Sequence, residues 1–188
     1  MIIDYEKKTI GIKIVFFGPA MSGKTTTIRW LFKEVNRTEE LTSIENSVGR
    51  TMFMDFGTIP FDMGEGWTVN AHIWSATGQD FYKSTREVIL VGADGIIFVA
   101  DAQMHLQDEN VESWYELKET SLESDDSLPI AVLLNKTDLP NIVNEDQLRM
   151  VLEIDSQIPV FHGIANQGKN VVEVFQWLFQ NAVRTAVA

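Results

Sequence analysis

The chain has 188 residues, 45% of them apolar and 22% charged, a length and balance that fit one globular domain over 1–188 and argue against intrinsic disorder. Fifteen Lys plus Arg against 27 Asp plus Glu leave a net charge of −12, which repels phosphate backbones and speaks against a nucleic-acid partner while allowing a small basic pocket. With no cysteine there are no disulfides, thiolate zinc sites, cysteine nucleophiles, or prenyl and palmitoyl attachment points.

In chain order, short apolar runs predict strands over 10–17, 51–61, 67–75, 95–100, 130–134 and 160–164. Helical patterns fall over 24–35, 80–91, 110–123, 145–153 and 171–184. This alternation predicts an α/β layer structure: a doubly wound, mostly parallel six-stranded sheet flanked by about five helices. The glycine-bearing stretch 62–66 joins the second and third strands as one antiparallel hairpin. Segment 36–50, rich in Thr, Glu, Asn and Ser, is the least patterned, and a loop of that length inside a domain is usually functional or mobile. The last helix carries Val171, Val174, Phe175, Leu178 and Ala182 on one face, so its aromatics read as core. The longest apolar stretch, 88–102, is broken by Asp94 and does not span a membrane. Ile2 stands where myristoylation requires glycine, so the expectation is a cytoplasmic protein without a lipid anchor. His72, His105 and His162 lack metal-ligand spacing, and the acidic run 123–126 lacks a calcium-loop pattern.

The sharpest feature is Gly18-Pro19-Ala20-Met21-Ser22-Gly23-Lys24-Thr25, which fits G-x-x-x-x-G-K-[ST] in full between a predicted strand and a predicted helix. Glycines let backbone N–H groups turn onto phosphates, and the helix N-terminus adds its positive dipole end. Lys24 would reach the β- and γ-phosphates, and the Thr25 hydroxyl would ligate magnesium, with Thr26 beside it. The competing reading is a glycine-rich turn before an ordinary helix. Asn135-Lys136-Thr137-Asp138 follows the apolar run 130–134, at the carboxyl end of a strand, where ligands sit in such sheets. A carboxylate at Asp138 accepts from the N1–H and exocyclic amine of guanine, a donor pair adenine does not offer. Asn135 would brace the loop and the Lys136 stem would cover one face of the base; alone, the motif could be a strand-end turn. Gly78-Gln79 and Thr51 fall where a γ-phosphate sensor is needed: a Gly N–H, a Gln that orients water, and a hydroxyl that completes the magnesium shell.

This order of motifs resembles the Ras and Arf superfamily of small GTPases, on the P-loop NTPase fold, over nearly the whole chain. The strings Phe17-Gly18-Pro19, Arg50-Thr51, Asp55-Phe56 and Phe98-Val99-Ala100-Asp101 are similar to the MglA-type GTPases of bacteria and archaea. The resemblance implies a GTP/GDP switch with magnesium held by Thr25 and Thr51, with switch regions near 36–57 and 75–92. It also implies protein effectors and a roadblock-domain (MglB-like) partner that promotes hydrolysis, in cell polarity and motility. Gln79, Arg50 and Lys24 would be catalytic, Arg50 as an arginine finger supplied in cis; the plainer reading of Arg50 is a solvated loop residue. Ala165 would meet the guanine carbonyl through its N–H. Ser75 stands where most small GTPases keep a magnesium-linked Asp, which MglA-type proteins also lack, and Asp55 matches an acid that group keeps in this strand. Ala20 puts a methyl where the loop is commonly glycine, so slow intrinsic hydrolysis is expected. The competing functions are a nucleotide-binding regulatory or scaffold module with little turnover, and a small-molecule kinase, disfavoured by N-K-x-D and the lack of an Arg-rich lid.

Overall fold

The computed structural model describes residues 1–45, 51–76, 83–122 and 128–187. Among these, eight strands form one sheet: β1 (Ile2–Asp4), β2 (Thr9–Phe17), β3 (Thr42–Glu45), β4 (Thr51–Gly64), β5 (Trp67–Ala76), β6 (Gly95–Asp101), β7 (Ile130–Asn135) and β8 (Val160–His162). The helices are α1 (Lys24–Glu34), α2 (Lys83–Leu90), α3 (Gln107–Leu117), α4 (Glu145–Leu152) and α5 (Val171–Val187). The strand order is β3-β4-β5-β2-β6-β7-β8, with β1 paired to β2. Strand β2 runs parallel to β5 and β6, and β7 parallel to β6 and β8; β4 is antiparallel to β3 and β5, and β1 to β2.

The α/β class stands, but the sheet is larger than the six strands expected. Strands β1 and β3 have three and four residues, too few for an alternation to register, and only their pairing with β2 and β4 makes them strands. The expected strand 160–164 ends at His162, because the Gly163 N–H turns to the Leu134 carbonyl (2.8 Å) and the chain leaves the sheet toward the site. The β4–β5 hairpin closes at Glu65-Gly66, inside the turn read from its glycines.

Central strands β2, β6 and β7 are covered on both faces, which is why they read as unbroken apolar runs. On one face Ile12, Ile14 and Phe16 of β2 meet Val99, Leu133, and Ile28 and Phe32 of α1, together with Val174 and Leu178 of α5. On the other, Val15, Phe17, Phe98 and Val132 pack with Trp114 of α3 and Leu148 and Leu152 of α4. All five residues assigned to the inward face of α5 are buried, each contributing about 1.5–3 kcal/mol of apolar transfer where the side chain is large. This stack presents the carboxyl ends of β2, β6 and β7 at one edge, and the loops that follow them make the site.

Candidate functional site

Between β2 and α1 the chain turns through residues 18–23, and α1 begins at Lys24 with Gly23 as its N-cap. Gly18 passes so close to β6 that a Cβ would lie 2.3 Å from the Val99 carbonyl oxygen. Gly23 has φ +106, and a Cβ there would lie 2.2 Å from Asn135 Nδ2. Both glycines are therefore fixed by geometry as well as by any ligand. Lys24 is buried and donates from Nζ to the carbonyls of Gly18 (2.8 Å) and Pro19 (2.7 Å). Burial pushes its ammonium down to about 7; the Asp55 carboxylate opposes that fall and the Arg86 guanidinium adds to it. Ser22 is fully buried, and its hydroxyl finds no partner among the described residues. Ala20 and Met21 are exposed on the outer lip of the loop.

Thr25 Oγ1 donates to Asp55 Oδ2 at 2.7 Å. Asp55 is 0% exposed and faces Ser75, itself buried, in the β4–β5 register. Asp55 shares the inward side of β4 with Ile59, where a carboxylate is costly unless it is partnered.

Asn135, 2% exposed at the end of β7, joins two loops distant in sequence. Its Nδ2 donates to the Ser22 carbonyl (2.8 Å), and its Oδ1 accepts the Ala165 N–H (2.9 Å). The Ala165 N–H expected to face a base carbonyl is thus engaged within the protein. Thr137 ties the same region to Gly163, whose carbonyl accepts from its N–H (3.2 Å) and hydroxyl (3.0 Å). Lys136 has φ +67, and its ammonium pairs with Asp101 Oδ2 at 2.5 Å. A pocket of about 220 Å³ lies between these loops, lined by Met21, Gly23 and Thr26 on one side and Asn135, Lys136, Asp138 and Ala165 on the other.

The structure therefore brings Met21, Gly23 and Thr26 together with Asn135, Lys136, Asp138 and Ala165 around one cleft, while Gly18, Ala20, Ser22, Lys24 and Thr25 belong to the adjoining loop and helix start without lining it. Arg50, Gly78 and Gln79 lie outside the described residues, and Thr51 is described as the first residue of β4, paired with Glu45. Among the described residues no group of three or more His, Asp or Glu forms a metal cluster, and no helix is long and apolar enough to cross a membrane.

A glycine-opened loop at the head of α1, facing an N-K-x-D loop across a cleft at the carboxyl edge of a mostly parallel sheet, defines a P-loop domain of the small GTPase class. The Ras family model matches residues 13–184, and the chain belongs to the Ras family. It is 34% identical over 181 residues to the mutual gliding-motility protein MglA of Myxococcus xanthus, covering 93% of this chain and 91% of that protein. It is 28% identical over 182 residues to the Ras-related protein Rab-7a of Dictyostelium discoideum, covering 95% and 85%, and 26% identical over 185 residues to RABG3c of Arabidopsis thaliana, with the same coverage. The protein is a small GTPase: it binds GTP and GDP, hydrolyses GTP, and works as a molecular switch.

Proposed function

We propose that the nucleotide lies across the cleft with its phosphates along 18–25 and its guanine between Lys136, Asp138 and Ala165. The observation that carries this reading is Asn135, whose one side chain braces both the phosphate loop at Ser22 and the base-side loop at Ala165. Asp138, exposed at the pocket wall, suits the guanine N1–H and exocyclic amine. The Lys136 stem covers one base face, and the Ala165 N–H is shared between Asn135 Oδ1 and the base carbonyl, so the brace is kept in the bound state. Lys24 moves from the carbonyls of Gly18 and Pro19 onto the β- and γ-phosphates, whose charge restores its ammonium.

The donor set fits magnesium: Thr25 Oγ1 and the buried Asp55 carboxylate are hard oxygen ligands already 2.7 Å apart. Thr25, Thr51 and Asp55, the last in place of the acid that Ser75 replaces, would hold the ion, which when bound neutralises charge on the phosphates. Gln79 orients the attacking water, and Arg50 brings positive charge to the transferring phosphoryl group. Loss of the γ-phosphate then releases 36–57 and 75–92 and changes which effectors bind. The likeness to a gliding-motility protein supports a role in motility; action in the cytoplasm in a polarity pathway, with a roadblock-domain partner accelerating turnover, belongs to the same proposal.

The test is the nucleotide that copurifies, separated by chromatography and followed over time. Guanine nucleotide with GTP decaying to GDP is expected. Adenine nucleotide would overturn the base assignment, and GTP that never decays would overturn the roles given to Gln79 and Arg50 in favour of a module without useful turnover.

A further inference from the structure

Asp101 ends β6 beside Asn135 in the β6–β7 register, at the edge of the pocket but outside its lining. Its side chain is 1% exposed, a costly place for a charge, and its partner there is Lys136, whose ammonium lies 2.5 Å from Oδ2 and whose side chain is 26% exposed. The acid is held from its other side as well. Oδ1 accepts the Gln103 N–H (3.0 Å) and the Gln103 side-chain amide (3.2 Å). Buried Asn110 clamps the Asp101 backbone, accepting its N–H (2.9 Å) and donating to its carbonyl (2.8 Å). Lys136 itself sits at φ +67, a backbone conformation that an L side chain adopts only when its surroundings fix it. A long flexible lysine anchored at its tip by a rigid buried acid has its stem fixed against the pocket wall, with its charge drawn away from the cavity.

We infer that Asp101 is a positioning residue for guanine binding: it pins the Lys136 ammonium so that the aliphatic stem is held in advance as a flat apolar cover for the base. This rests on the guanine pocket proposed above. Without Asp101 the lysine tip is free, the stem must be ordered each time a base enters, and the base leaves faster.

The experiment is a double-mutant cycle read as the release rate of a fluorescent GDP analogue, with Asp101→Asn, Lys136→Met and the pair. Asp101→Asn is expected to speed release about tenfold in the wild-type background and less than about twofold beside Lys136→Met, since the acid then has no ammonium to hold. Equal acceleration in both backgrounds would show a general structural role and overturn the inference, as would no acceleration in the wild type. If Asp101→Asn does not fold, Gln103→Ala loosens the same carboxylate. Its smaller acceleration, about threefold, should likewise vanish beside Lys136→Met, and persistence there would overturn the inference. The guanine pocket is tested separately by competing ADP against GDP on the unmodified protein: equal affinity would remove the guanine reading, while the cycle still reports the coupling of Asp101 to Lys136.

Discussion

Replacing Asn135 by alanine tests the brace on which the cleft depends. The side chain is 2% exposed and makes two hydrogen bonds, to the Ser22 carbonyl at 2.8 Å and from the Ala165 N–H at 2.9 Å. Ser22 and Ala165 are themselves buried, so both backbone groups lose their partner inside the protein. Each buried group left unsatisfied costs about 1–3 kcal/mol, which gives a total of ~2–6 kcal/mol. Water entering the vacated space recovers part of this, and a loss of ~2–4 kcal/mol is the working value. That is a large share of a domain stability of about 5–15 kcal/mol. At roughly 2–4 °C per kcal/mol for a chain of this size, thermal unfolding should begin ~5–15 °C lower. Melting by circular dichroism with saturating GDP, together with the release rate of a fluorescent GDP analogue, measures both halves of the effect. Asn135→Asp keeps the acceptor for Ala165 but sets an anionic oxygen against the Ser22 carbonyl, and should be at least as harmful as alanine. An Asn135→Ala protein that melts within about 2 °C of the wild type would refute the brace, even if its nucleotide left faster.

Other substitutions separate the chemical roles. Arg50→Ala should leave GTP binding nearly intact and slow single-turnover hydrolysis by about tenfold or more, and an unchanged rate would remove the arginine from the mechanism. Ala20→Gly clears a methyl from the phosphate loop and should raise intrinsic hydrolysis; no change or a decrease would count against a steric brake. Asp55→Asn keeps the shape of the group that accepts from Thr25 but removes its charge, so nucleotide retention should require about tenfold more magnesium in a titration against a chelator. Retention that follows the wild-type magnesium curve would show that the carboxylate only braces Thr25.

Much of the fold was legible because local rules and tertiary packing agree. The two-faced apolar runs of β2, β6 and β7, the single-faced pattern of α5, and the glycines that close the β4–β5 hairpin each state their structure within a few residues. Strands β1 and β3 were not legible, since a strand of three or four residues exists only by virtue of the neighbour it pairs with. The same division runs through the site. The phosphate loop announces itself because eight consecutive residues carry its chemistry, whereas Asp55 and Asp101 act on Thr25 and Lys136 from other strands, 30 and 35 positions away, and no local pattern marks them as partners.

That division also explains what the glycines mean. Gly23 belongs to the phosphate-loop pattern because a nucleotide must approach its backbone, yet a Cβ there would strike Asn135 Nδ2 before any nucleotide arrived. The residue answers two demands at once, and both come from the loop after β7 and the loop before α1 needing to share one small space. Asn135 occupies that space, Ser22 closes it from below through its carbonyl, and Ala165 closes it from the far side through its N–H. A base and a phosphate chain held on opposite sides of such a junction cannot be ordered independently, because loosening either loop frees an end of the same side chain. In the binding mode proposed above, base recognition and phosphate binding would be coupled through the packing around Asn135, so that motifs that look separate along the sequence would act in the folded chain as one device.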